Sequence, residues 1–127
     1  MTVGRLAALV ALAACLALPA GASADWSWNT KITESGSSPV ADMARSGHAI
    51  VGWREEAGGG AVARSAPGGK LGPVETLTAS GDGIEDVAVA ENGDAFAAWA
   101  DDAGVHVAIR PLGGSWGAPQ TLAGAVG

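Results

Sequence analysis

The sequence holds little of what many function classes require. Among 127 residues there is one cysteine, one phenylalanine, two histidines and no tyrosine. The cysteine, Cys15, lies in an apolar N-terminal run, so the rest of the chain has no disulfide, no thiolate metal ligand and no cysteine nucleophile. Stability must come from packing alone. Positive charge is scarce too: seven Lys and Arg stand against thirteen Asp and Glu, a net of −6. Without a basic stripe to displace counterions from phosphates, nucleic acid is excluded as a partner. An anionic membrane surface is disfavoured for the same reason. Long hydrophobic runs are missing as well. "LAALVALAACLAL", residues 6–18, is too short to span a bilayer.

That run fits an export signal. Arg5 precedes it, Pro19 and Gly21 break it, and "ASA" at 22–24 puts small residues at the −3 and −1 positions of a peptidase site. The layout predicts a secretory signal peptide over 1–24, cleaved before Asp25, and an extracellular chain of 25–127 with no stable membrane span. "LAAC", ending at Cys15, resembles a bacterial lipobox and implies a lipid anchor there as the alternative. Loss of Arg5 leaves six basic residues against thirteen acidic, a net of −7.

What the chain does have is repetition. "GHAIVGW" (47–53) lies over "GDAFAAW" (93–99), so that Gly47 matches Gly93 and Trp53 matches Trp99, 46 residues apart. "VADMARSG" (40–47) lies over "DVAVAENG" (86–93), and Arg64 over Arg110, at the same offset. Past Arg64 one residue is lost. Gly68-Gly69 then matches Gly113-Gly114, Gly72 matches Gly117, and Leu77 matches Leu122, all at 45. "WSWNTKI" (26–32) resembles "WGAPQTL" (116–122), a partial third copy. Trp26, Leu71 and Trp116 hold one position; Ile32, Leu77 and Leu122 hold another.

Each unit reads as four short strands. Two apolar runs are split by "ARSG" in the first unit and by "ENG" in the second, and Asn-Gly is a strong hairpin signal. In the third strand of unit two, Val105, Val107 and Ile109 alternate with His106, Ala108 and Arg110. Gly-Gly then turns the chain into a fourth strand, Trp116 to Leu122 in unit two. Pro73 and Pro119 fall within these fourth strands, which suits an outer edge.

Four antiparallel strands per unit of 40 to 50 residues is the blade pattern of β-propellers. On "GHAIVGW" with "APGGKLGPVETL", and "GDAFAAW" with "VAIRPLGGSWGAPQTL", the chain resembles secreted bacterial β-propeller repeat proteins of the sialidase-like or BNR-like group. The expected fold is all-β: a partial blade strand over 25–37, blade 1 over 38–82 and blade 2 over 83–127. Two blades are fewer than a closed ring uses, so the reading is an incomplete propeller, either a fragment of a longer one or a chain that assembles with copies.

Propellers host many unrelated activities, so function has to be read from sites. The sialidase-like resemblance implies a Tyr nucleophile, an Arg cluster and an acidic general acid/base. With no Tyr and no complete Asp-box, catalysis of that kind is not expected. A second resemblance is to fucose-binding lectins built of two repeats per chain. It implies a sugar site of Trp, Arg and Glu, for which Trp53, Arg54, Glu55 and Trp99 are the candidates. Trp53 and Trp99 also suit blade packing, and the glycine pairs, Trp116, Leu77 and Leu122 are read as structural. His48 and His106 have no Asp, Glu or His at ligand spacing, so no metal or cofactor is expected. The expectation is a non-catalytic scaffold or binding module; the alternatives are a self-associating carbohydrate-binding lectin and an inactive portion of a sialidase-like glycosidase. Its partner is a carbohydrate, a protein or further blades.

Overall fold

The computed structural model describes residues 31–122. The expected signal peptide over 1–24, with Cys15, and residues 25–30 of the expected leading strand, with Trp26, lie outside these residues. Eight strands follow in order: β1 (Gly36–Met43), β2 (Ala49–Glu55), β3 (Gly60–Ser65), β4 (Glu75–Thr78), β5 (Asp86–Val89), β6 (Ala95–Asp101), β7 (Gly104–Arg110) and β8 (Gln120–Leu122). No helix occurs among the described residues. The strands form two four-stranded sheets, β1-β2-β3-β4 and β5-β6-β7-β8, each a simple antiparallel meander. The fold class is all-β, with sheet 1 and sheet 2 each drawn from one stretch of chain.

The turns have local causes. At "APGG" and "PLGG" the Gly69 N–H donates to the Ala66 carbonyl and the Gly114 N–H to the Pro111 carbonyl. Gly68 and Gly113 adopt φ of 67° and 74°, which glycine reaches without steric cost. Gly72 and Gly117 then donate to the carbonyls of Arg64 and Ile109. The expected fourth strands are shorter than the sequence suggests. β4 and β8 begin after Pro73 and Pro119, which stand just outside the ladder where a missing N–H loses no strand bond. β1 starts at Gly36, so residues 36–37 join sheet 1 rather than a leading strand. In the hairpin before β6, Gly93 takes φ of 90° while Asn92 does not, so the turn is closed by glycine alone. Its bonds, Gly93 N–H to Ala90 O and Ala90 N–H to Asp94 O, match those of Gly47 to Ala44 and Ala44 to His48.

The two sheets stack through faces of opposite phase. In sheet 1, Ile50 pairs with Arg64 and Gly52 with Val62, and this face meets sheet 2. In sheet 2 the meeting face is the other one, with Val87, Ala97, Trp99 and Ala108. The link between the sheets lies in the seam. Ile84 donates its N–H to the Trp53 carbonyl, and Glu85 donates to the Ala98 carbonyl. The Ile84 side chain is buried between Gly52 and Gly60. A Cβ on Gly52 would stand 2.7 Å from Ile84 Cγ2, and one on Gly60 2.8 Å from its Cδ1. Both positions therefore need glycine. Full burial of such a side chain is worth about 1.5–3 kcal/mol.

Gly52→Ala is expected to cost about 1–3 kcal/mol by overpacking. Ile84→Ala is expected to cost about 2–5 kcal/mol by leaving a cavity. In the double variant the new methyl enters the space left by Ile84, so the loss falls below the sum of the single losses. Chemical denaturation of the four proteins measures this coupling; strict additivity would contradict the packing described.

Candidate functional site

The four sequence candidates do not converge. Trp53 and Glu55 share one face of β2, where the indole Nε1–H donates to Glu55 Oε1 at 2.7 Å. Arg54 points from the opposite face, and its guanidinium lies 3.8 Å from Asp82 in the link between the sheets. Trp53 is only 3% exposed and packs with Ala61, Ala63, Ile32 and Leu71. Trp99 is 4% exposed, belongs to the seam core, and stacks on His106 with ring centroids 5.7 Å apart. Neither indole offers an open aromatic face of the kind a sugar would stack on.

The motif leucines and Trp116 take unlike roles. Ile32 rests on the Trp53 cluster, and Leu77 rests on the seam core that contains Trp99. Leu122, matched with them in sequence, is 53% exposed. Leu71 and Trp116 pack on the Trp53 and Trp99 clusters respectively.

Both ends of the seam open into cavities. At one end, Ser80–Asp82 and residues 100–103 line a cleft of about 450 Å³ with Asp82, Asp101 and Asp102 on its walls. No group of three or more potential metal ligands forms among the described residues. Beside this cleft, the Asp101 carboxylate accepts from His106 Nε2–H at 2.7 Å, and His106 Nδ1 meets Thr121 Oγ1 at 2.9 Å. Sequence spacing gave His106 no partner. The hairpin supplies both, because Trp99 pairs directly with His106, and His106 with Thr121. Asp101 lies two residues beyond Trp99, on the same face. The His106 hydrogen bond, followed by the Ala103 N–H, holds the Asp101 carboxyl below the usual carboxylate range. Asp94 is held low chiefly by the Leu112 N–H and then by the Asn92 amide.

At the other end, His48, Arg64, Val89, Arg110 and Leu112 line a cavity of about 250 Å³. The sequence aligns Arg64 with Arg110 as equivalent positions, and the structure corrects this. Trp53 pairs with Ala61 but Trp99 pairs with His106, so the missing residue falls in the β6–β7 hairpin, ahead of the arginines. In register, Arg64 corresponds to Ile109 and Arg110 to Ser65, as the Gly72 and Gly117 bonds to Arg64 and Ile109 also require. The two arginines thus leave opposite faces and meet across the seam at Glu75 Oε1, 3.5 Å from Arg64 Nη2 and 2.6 Å from Arg110 Nη1.

A carboxyl whose folded pKa is depressed contributes stability above its ordinary pKa and loses it as pH falls through the lowered folded value. The unfolding temperature should therefore drop below about pH 4. Asp101→Asn should flatten part of that drop. Thermal melts from neutral pH down to about pH 2 test this; an unchanged acid limb in the variant would count against the Asp101–His106 bond.

Comparison with known protein families, with curated proteins and with solved structures finds no match for this chain, and its functional reading rests on its own residues.

Proposed function

We propose that the chain is an exported, non-catalytic β-propeller-type repeat module that acts as a scaffold or binding surface, its two sheets standing as neighbouring blades of a larger ring. One observation carries this reading. Ile32 and Leu77 each rest on the tryptophan cluster of a sheet, whereas Leu122, at the matching place in the motif, is 53% exposed. The face beside it has the phase that sheet 2 covers on sheet 1. It holds Ala88, Phe96, Ala98, Val105, Val107, Ile109 and Leu122, all at least partly exposed. A sheet-on-sheet stack of this polarity extends in one direction, as radially repeated blades do.

The reading assigns no catalytic residue. Its partner is the surface that covers this face: further sheets of similar composition, a protein or a carbohydrate. The test is light scattering of the processed chain together with binding of a dye that fluoresces on apolar surface. Wild type should bind the dye and associate with rising concentration. Val107→Asp and Leu122→Asp should give folded monomers that bind less dye. A folded wild-type monomer silent to the dye would overturn the proposal.

A further inference from the structure

The cavity at the arginine end of the seam carries a second assignment, independent of the module reading. Two guanidinium groups from different sheets reach it, and His48 joins them. Among the described residues that line it, none is acidic. This is a concentration of positive charge in a chain of net charge −6. Glu75 is the carboxylate that both arginines share. The other acids nearby are held by main-chain amides: Asp42 by Val89 N–H, Glu91 by Arg45 and Ser46 N–H, Asp94 by Leu112 N–H.

The donors outnumber the acceptors. Arg110 donates Nε–H to the Gly114 carbonyl at 2.6 Å and Nη1–H to Glu75. Arg64 makes a single long contact to Glu75, 3.5 Å. Its Nε is shut off from solvent and has no acceptor among the described residues. That covered Nε is not what an ion in the cavity would meet; the Arg64 side chain is still 21% exposed and leaves most of its donor capacity unused. His48 takes up none of that capacity: its Nδ1 is engaged with Ser46 Oγ, and its Nε2 lies against Gly93.

We propose that this cavity binds a tetrahedral oxyanion, phosphate or sulfate, either free or as the terminal group of a small ligand. Guanidinium is the side chain best suited to such groups, because its fork donates two hydrogen bonds to one oxyanion. Forks converging from two sheets suit oxygens that point in several directions, whereas Glu75 already takes the place of a planar carboxylate between them. Size sets the limit. At about 250 Å³ the cavity falls below the roughly 300 Å³ at which pockets for whole drug-sized ligands begin.

The experiment is titration calorimetry of the processed chain with sodium phosphate, sodium sulfate, methyl phosphate and sodium acetate, against chloride at matched ionic strength. Phosphate and sulfate should bind at one site, and acetate at least about tenfold more weakly. Arg64→Gln should weaken phosphate by about tenfold to a hundredfold. Arg54→Gln, outside the cavity, should leave it unchanged. Glu75→Gln should tighten phosphate, because it removes the competing carboxylate, whereas a purely structural ion triad would give no such gain. Methyl phosphate binding as well as phosphate supports the terminal-group form; binding of the inorganic ions alone supports the free-ion form. If Arg64→Gln does not fold, arginine modification by phenylglyoxal on wild type replaces it, with phosphate expected to protect Arg64 and Arg110. No binding above chloride, equal binding of acetate, or no protection would overturn the proposal.

Discussion

The structure depends on one side chain in a narrow space. Ile84 fills the seam between the sheets, and it fits because Gly52 and Gly60 present bare backbone to it. Its N–H is tied to sheet 1 through Trp53, and the next residue is tied to sheet 2 through Ala98. The link between sheets is therefore also their core. Around it Ile50, Val62, Val87, Ala97, Trp99 and Ala108 close a buried apolar layer, where alanines let the two backbones approach. In a chain with one cysteine and one phenylalanine, this close approach replaces the larger side chains and cross-links that other small domains use.

Polar contacts fix the alignment that apolar contact leaves free. Glu91, in the turn between β5 and β6, accepts the N–H groups of Arg45 and Ser46 in the corresponding turn of sheet 1. Asp42 of β1 accepts the Val89 N–H at the end of β5. Glu75 joins arginines from both sheets. These bonds are directional, and each of the three carboxylates makes at least one that crosses the seam. Apolar area is indifferent to a small slide of one sheet over the other, but the three carboxylates are not.

Much of the fold was legible in the sequence because strand alternation and glycine turns are local. Val105, Val107 and Ile109 do share a face, with His106, Ala108 and Arg110 opposite. The Gly68-Gly69 and Gly113-Gly114 turns fall where the doubled motif put them. The ends of the fourth strands were less legible, because the ladder starts only where a partner carbonyl comes within reach. Site geometry was the least legible part. Alternation alone separates Arg54 from Trp53 and Glu55, but Arg54's partner Asp82 comes from a loop whose path the pattern does not specify. Likewise, matching letters placed Arg64 over Arg110, while the pairing of Trp99 with His106 assigns the two arginines to different faces.

That last difference has a wider consequence. Side chains on a strand change face with each step, so shortening one hairpin by a single residue inverts every position after it until the chain is reset. Here the shorter β6–β7 connection turns Arg110 back toward sheet 1. Two stretches with nearly the same lettering thus come to face one another with unlike chemistry. Where copies sit side by side, a change in loop length can create a pocket that no substitution within the strands would make.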